Sequence, residues 1–368
     1  MGEARERARE SRAALAEVFR NPGLRRLNIA LAGSVIGDWA YGVAVSVYAY
    51  TQGGATAVGI LGVVRYLSMA LLLPFTSTLA DKYDRKRIMI ASDMIRFVLV
   101  LIAALVIELD GAPMIVYALA VVTAMTATAF RPAQAALMPK LATHPGELTA
   151  SNVASSTIES VGFFVGPAIG GTLLAVADVA TVYVFDAMTF VWSAAVVLGV
   201  RIPTTTSAVD SASDSADEDD GADADAESSK EGGMFAGVGA GYATILRDRD
   251  LRLLIGLYCA QTLVAGASVV FGVAIALDLL GLDEGAVGLL DATVGVGGLL
   301  GGFVALMLAQ RGKLARDFGV GVILWSAPLL IMFASPTLPA ALAAMFLIGL
   351  GNSIVDVNAF TILQRVVP

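Results

Sequence analysis

Ten apolar stretches, each long enough to cross a lipid bilayer, recur along this chain and leave few folds open to it. A hydrocarbon layer of about 30 Å takes roughly 20 helical residues at about 1.5 Å per residue. The stretches run approximately from Leu27 to Tyr50, Ala57 to Leu79, Ile88 to Ile107, Met114 to Leu137, Ser151 to Ala177, Val179 to Val200, Leu251 to Leu280, Gly285 to Ala309, Phe318 to Ala334 and Leu338 to Gln364. They are numbered here as spans 1 to 10. With 57% of its residues hydrophobic and 15% charged, the chain is too apolar for a water-soluble domain, where charged residues alone reach about 25%. The expected fold class is an all-α membrane protein.

The basic residues predict how the spans are oriented, since Lys and Arg in short loops stay on the cytoplasmic side. They crowd the N-terminus (Arg5, Arg7, Arg9, Arg12, Arg20, Arg25, Arg26), the loop after span 2 (Lys82, Arg85, Lys86, Arg87) and the loop after span 4 (Lys140). They recur after span 6 (Arg201, Lys230, Arg247, Arg249) and after span 8 (Arg311, Lys313, Arg316). The alternate connections carry none. The N-terminus and every even-numbered connection are therefore expected in the cytoplasm. Residues Glu3 to Arg20 show a charged, helix-like pattern with no apolar core or cleavage site, so span 1 is expected to serve as its own insertion signal. Cys259 and His144 are the sole residues of their kinds. Disulfide, metal and catalytic-triad chemistry are accordingly not expected.

Between spans 6 and 7 the composition changes abruptly. Ser207 to Gly233 is a low-complexity run of Ser, Ala, Asp, Glu and Gly that cannot bury enough apolar surface to fold, and it reads as a disordered linker. It holds ten acidic residues and one Lys. The chain's net charge of −8 thus belongs to the linker and says nothing about a cationic substrate. The predicted organisation is a cytoplasmic segment at 1–26, a six-helix bundle at 27–200, an acidic cytoplasmic linker at 201–247 and a second bundle at 248–368.

The two bundles repeat one another. Ala57 to Leu61 (AVGIL) opens span 2, and Ala286 to Leu290 (AVGLL) opens span 8, 229 positions later. Leu24-Arg25 matches Leu251-Arg252 at an offset of 227, and Ala129, Phe130 and Gln134 match Ala359, Phe360 and Gln364 at 230. Three matches at nearly one offset predict two parallel six-helix repeats. The loop after span 2, Ser77-Thr78-Leu79-Ala80-Asp81-Lys82-Tyr83-Asp84-Arg85-Lys86-Arg87, resembles the hallmark of the major facilitator superfamily, with Ser77 and Asp84 at two positions where glycine is usual. Together with Gly37-Asp38-Trp39, Asp93 to Arg96 and Phe130-Arg131-Pro132-Ala133, it looks like the bacterial exporter branch that includes siderophore and macrolide efflux proteins. The resemblance implies a secondary carrier that works by alternating access. A first repeat of about 180 residues would place the end of a complete second repeat well beyond Pro368, so spans 11 and 12 are expected to be missing from an incomplete C-terminal bundle of four helices.

Three groups of residues become candidates. In the hallmark loop, Asp81 can accept hydrogen bonds at a helix end or pair with Arg85, latching one conformation; the gating latch would comprise Ser77, Asp81, Arg85, Lys86 and Arg87, while the alternative is that the basic residues only fix topology. In span 5, Gly162, Gly166, Pro167, Gly170 and Gly171 resemble the superfamily's exporter signature, and they equally suit ordinary close helix packing. Charged residues inside the spans cost about 3 kcal/mol or more unless paired or hydrated. Asp38, Arg65, Glu159, Asp186 and Asp291 are therefore the candidates for proton coupling or substrate contact, with Arg65 at a depth suited to pair with Asp38. Asp93 and Arg96, at i and i+3, are expected to satisfy each other, and Arg131 and Asp356 to serve gating or packing.

The expected function is proton-coupled export of small amphipathic molecules across the cell membrane, with the lipid bilayer, a small-molecule substrate and protons as partners. An importer or facilitator is the alternative that flux direction would separate, and a transport-inactive sensor or scaffold is the alternative that the missing spans suggest. No nucleophile–base pair, phosphate loop or metal-ligand spacing is present, so no enzyme, cofactor or nucleic-acid partner is expected. The topology has a direct check. A Ser213→Cys variant should react with membrane-impermeant thiol reagents only after the cytoplasm is opened; labelling in intact cells would invert the assignment.

Overall fold

The structure, a computed structural model, describes residues 20–201, 266–309 and 314–366, with single helical positions at 252 and 256. No strand occurs among them. The acidic linker and the beginning of span 7 lie outside the described residues. Two compact units are formed: Met1–Ile202 with Ala265–Asn358, and Pro203–Val264 with Ala359–Pro368. The second contains the end of the last helix and otherwise lies almost wholly outside the described residues.

Eleven helices are described, in chain order α1 (Pro22–Lys82), α2 (Arg85–Glu108), α3 (Pro113–Ala127), α4 (Phe130–Leu141), α5 (Pro145–Val176) and α6 (Val179–Leu198). They continue with α7 (Gly266–Leu279), α8 (Gly285–Ala309), α9 (Leu314–Ser326), α10 (Leu329–Ala334) and α11 (Leu338–Val366). Among the described residues, seven segments are long and apolar enough to cross a membrane. Large apolar side chains face outward from the helices, with Leu71 and Phe75 of α1, Phe303 of α8 and Leu330 of α10 each at least 65% exposed. Such a surface suits lipid, not water.

The ten expected spans do not map one to one onto these elements, because hydropathy registers apolar runs and is blind to backbone breaks. Spans 1 and 2 are joined in α1, whose 61 residues would reach about 90 Å if straight. Gly53 (φ −155°) and Gly54 (φ 64°, ψ −164°) interrupt it. The positive φ at Gly54 is one that glycine alone adopts at little cost. Span 4 is divided between α3 and α4 at Thr128–Ala129, and span 9 between α9 and α10 at Ala327–Pro328. Proline brings no N–H to continue the ladder. Of span 7, α7 is described together with the single positions 252 and 256, and α7 ends in a π-turn at Ile275–Leu279.

Polar groups fasten the helix ends. Asp84 accepts from the Arg87 amide at 3.1 Å at the start of α2, and Asp178 accepts from the Thr181 amide at 2.7 Å at the start of α6. The Thr181 side-chain and backbone donors hold the Asp178 carboxyl below its ordinary range. At the other end of α6, Lys86 Nζ donates to Leu198 O and Val200 O at 2.8 Å each, and Arg26 donates to Gly199 O. Cations at a helix C-terminus are favoured by its dipole and by its unpaired carbonyls. Asn21 Nδ2 ties the start of α1 to Leu141 O at 2.8 Å and to Glu147 Oε2 at 3.0 Å.

Small residues let α5 lie against two neighbours at backbone distance. A Cβ on Gly166 or Gly170 would meet α1, at 2.8 Å from Ile36 O or 2.9 Å from Ala40 O. A Cβ on Gly171 would meet α8, at 2.6 Å from Gly285 O and 2.7 Å from the Gly288 Cα. Overpacking of this kind costs about 1–3 kcal/mol. Gly171→Ala and Gly166→Ala should therefore each lower the thermal midpoint of the purified protein. Gly42→Ala, in the same helical context but with nothing within 4 Å of its Cβ, should leave the midpoint unchanged or raise it, since alanine is favoured over glycine in a helix by about 0.5–1 kcal/mol. Equal effects at the three positions would mean that the contacts do not limit stability.

Candidate substrate and coupling site

Two buried apolar clusters fill the first unit. One includes Tyr41, Tyr183 and Phe190, and the other Leu27, Met89, Phe130 and Leu137. Arg96 of α2 bridges them, its guanidinium carbon 4.2 Å from the Phe190 ring centroid and 5.4 Å from that of Phe130. Aromatic faces stabilise a cation held this way, more so when water is excluded. Arg96 is 1% exposed, so its charge must be answered from within the protein.

The answer comes from two carboxylates. Arg96 Nη2 lies 2.6 Å from Asp93 Oδ1 on the same helix, the i, i+3 pairing that the sequence led us to expect. Arg96 Nη1 lies 3.3 and 3.4 Å from the two oxygens of Asp38 on α1, and Ser34 Oγ stands 3.5 Å from Asp38 Oδ2. The two carboxylates are not equivalent. Asp93 is wholly buried and held at short distance, whereas the Asp38 side chain is 45% exposed and held at long distance.

The expected pairing of Asp38 with Arg65 is replaced by this contact with Arg96. Arg65 makes no hydrogen bond or ion pair among the described residues, and its Nε is buried without a partner. Asp186 of α6 is 0% exposed. Its Oδ1 stands 3.4 Å from Thr189 Oγ1 and its Oδ2 has no partner. The carboxylate fits against α1 because residue 37 is glycine: a Cβ there would stand 2.5 Å from Asp186 Oδ1. Asp38 and Asp93 thus divide one guanidinium between them, in a setting where ionised groups without a counter-charge are expensive.

A second ion pair, not foreseen from the sequence, joins Arg131 of α4 to Glu159 of α5. Both side chains are about half exposed, 47% and 46%. Charged groups so far inside the spans are accommodated where they meet water, in a cavity. Trp39, next to Asp38 in sequence, packs edge-on against Phe163 at 4.5 Å and is exposed. The signal for the pair was present, since Arg131 stands ten residues before Leu141 and Glu159 fourteen after Pro145. At about 1.5 Å per residue both lie some 15–21 Å from the turn joining α4 to α5.

The other candidates are distributed differently. Asp291 of α8 has no ion pair among the described residues; its Oδ1 faces α7, 3.8 Å from where a Cβ on Gly272 would stand. In the hallmark loop the side chains of Ser77 and Asp81 lie outside the described residues. Arg85 has a buried, unpartnered Nε, Arg87 is exposed with its amide on Asp84, and Lys86 caps α6. Gly162 packs on Val35, Pro167 places its carbonyl against Gly288, and Gly166, Gly170 and Gly171 make the close approaches already described. No group of three or more His, Cys, Asp or Glu among the described residues could hold a metal ion.

Comparison with known proteins places this geometry in context. The sequence pattern of the Major Facilitator Superfamily matches residues 27–368. An uncharacterized MFS-type transporter of Bacillus subtilis (strain 168), YfiS, is 32% identical over 182 residues, 49% of this chain and 42% of that protein. Macrolide efflux protein A of Enterococcus faecalis is 28% identical over 159 residues, 43% of this chain and 49% of that protein. The chain thus spans less than half the length of these curated relatives. The crystal structure of a bacterial homolog of the human lysosomal transporter Spinster, inward-facing and unoccupied, superposes with a TM-score of 0.69 at 15% identity, covering 94% of this chain and 76% of that one. The nucleoside transporter NupG gives 0.69 at 10% identity, covering 94% and 82%. At these identities the two structures share the fold alone.

The unequal grip of Arg96 has a measurable consequence. Removing one member of a buried charge pair costs about 3–5 kcal/mol because the other is left without a counter-charge. Arg96→Gln, which strands Asp93, should therefore lower the thermal midpoint far more than Asp38→Asn, which removes a half-exposed carboxylate. Comparable losses in a thermal melt of the two purified variants would contradict the assignment of Asp93 as the structural partner.

Proposed function

We propose, from the premise that this chain belongs to the Major Facilitator Superfamily, that it is a secondary carrier which exports small amphipathic molecules in exchange for protons. Membership of that family makes it a multi-pass membrane protein of transporter type and not an enzyme. The observation that carries the coupling is the state of Asp38, a half-exposed carboxylate within a span, held at 3.3–3.4 Å by a guanidinium already committed at 2.6 Å to Asp93. A group gripped so loosely can exchange its counter-ion for a proton while Arg96 keeps its contact with Asp93. Alternating access would present Asp38 to each side in turn. Glu159, Asp186 and Asp291 are the further candidates among the intramembrane carboxylates for carrying protons.

Export is favoured over import by two observations. The glycine-proline series of α5, from Gly162 to Gly171, resembles the exporter signature, and one of the relatives is named as an efflux protein. The working location is the bacterial cell membrane with the N-terminus in the cytoplasm, following the distribution of Lys and Arg. Asp81 and Arg85 remain our proposed conformational latch. Lys86, by contrast, serves the first bundle itself through its bonds to the end of α6.

Asp38→Asn tests the coupling role. In proteoliposomes of the full-length protein, the variant should retain counterflow, which requires only substrate rebinding, and lose uphill transport driven by an imposed pH gradient. Gradient-driven accumulation equal to that of the unmodified protein would remove Asp38 as the coupling group.

A further inference from the structure

Between residues 40 and 50, α1 is buried on every side but one. The residues that keep some exposure there are Gly42, Ser46 and Tyr50, four apart and therefore in one row along the helix. Asp38 and Trp39, both exposed, lie at the foot of that row. Space opens in front of it, since a Cβ on Gly42 would meet nothing within 4 Å. From Asp38 to Tyr50 the row rises about 18 Å, away from the side on which the N-terminus is expected.

At its outer end the row meets the second repeat. The Tyr50 hydroxyl donates to Asp278 Oδ2 of α7. Tyr50 also packs, with Ile275, Leu277 and Leu280, on an apolar cluster that joins Tyr48 and Leu61 of α1 to Val273 and Ala276 of α7 and Leu290 of α8. The inner cluster, around Leu27, Met89 and Leu137, holds first-repeat residues alone among those described. Two properties suit the Tyr50–Asp278 bond to opening and closing. Asp278 is exposed, so water can replace the phenol at little cost when the bond breaks. It also sits in the π-turn at Ile275–Leu279, where Leu280 N donates to Ile275 O, five positions back, at 3.0 Å. Such turns are rare and frequent at functional sites. Each residue advances a helix by about 100°, so the wider turn sets the bearing of Asp278.

We propose that Tyr50 and Asp278 form an outer latch: their hydrogen bond holds the outer ends of spans 1 and 7 together, shuts the row above Asp38 to the outside, and releases when the carrier turns outward. The shared apolar cluster and the close approach of Gly171 to Gly288 bring the repeats together, and the hydrogen bond adds a directional contact that water can exchange. The latch rests on membership of the transporter family and on the orientation proposed above. It requires neither a particular solute nor protons.

Thiol labelling reads the latch without any flux. Gly42→Cys, combined with Cys259→Ser to remove the sole native cysteine, places one thiol in the row about 12 Å inward of Tyr50. Its rate of reaction with a membrane-impermeant maleimide is measured in intact cells and in inside-out vesicles. Tyr50→Phe, which keeps the ring, and Asp278→Ala should each speed labelling in intact cells by about two- to tenfold, with no gain in inside-out vesicles. The double variant should label no faster than the faster single one, because both changes remove the same bond. If Tyr50→Phe fails to fold, Asp278→Ala, at an exposed position, carries the test alone. Unchanged labelling in intact cells, or increases that multiply in the double variant, would overturn the latch. Faster labelling from both sides would mean loosened packing and would overturn it too. Acceleration confined to inside-out vesicles would instead overturn the orientation and leave the latch standing, and so would a latch that opens as expected in a chain without proton-driven transport overturn the proposed exchange alone.

Discussion

A single buried guanidinium shared unequally between two carboxylates organises the centre of the first bundle. Arg96 is placed by what surrounds it: Phe190 and Phe130 from two apolar clusters, Asp93 one turn away, and Asp38 across the helix boundary. Ionised groups of this kind are tolerated in a membrane interior only when their partners are present. The arrangement therefore fixes the mutual rotation of α1, α2 and α6. It also explains why residue 37 has no side chain, since the Asp186 carboxylate occupies the space that one would need.

From that centre the bundle is secured toward its helix ends by different means. Lys86 and Arg26 take the last carbonyls of α6, and Asn21 links the start of α1 to Leu141 and Glu147. These bonds connect helices that are far apart in sequence but belong to one half of the molecule. A bundle tied at its core and at its termini can rotate as one body, as alternating access demands.

Much of this was legible in the residues alone. The apolar runs fixed the helical class and most of the membrane-crossing segments, the Gly53-Gly54 pair fell in the expected connection, and the i, i+3 spacing of Asp93 and Arg96 identified a pair that the structure forms. Partners in different helices were less accessible. Asp38 was matched by depth to Arg65, yet depth is one coordinate of three, and the rotation of α2 brings Arg96 to Asp38 instead. Arg131 and Glu159 could have been matched by their distance from the α4–α5 turn. Lys86 looked like part of a latch because its neighbours in sequence do, while its side chain reaches carbonyls more than one hundred positions away. Breaks such as those at Thr128–Ala129 and Ala327–Pro328 left no trace in hydropathy, which is why the ten apolar runs and the described helices differ.

The contact between α5 and α8, like that between α5 and α1, is made at backbone distance. At Gly171 and Gly288 the two backbones touch directly, while on either side the side chains of Ala175 and Phe164 of α5 seat against Gly285 and Gly295 of α8. Interdigitated surfaces resist sliding because each step breaks a full set of fitted contacts. A smooth surface of main-chain atoms trades one dispersion contact for the next. The seam is therefore main chain against main chain at its centre and keyed by a side chain at each end, so the register of α5 on α8 is set by Phe164 and Ala175.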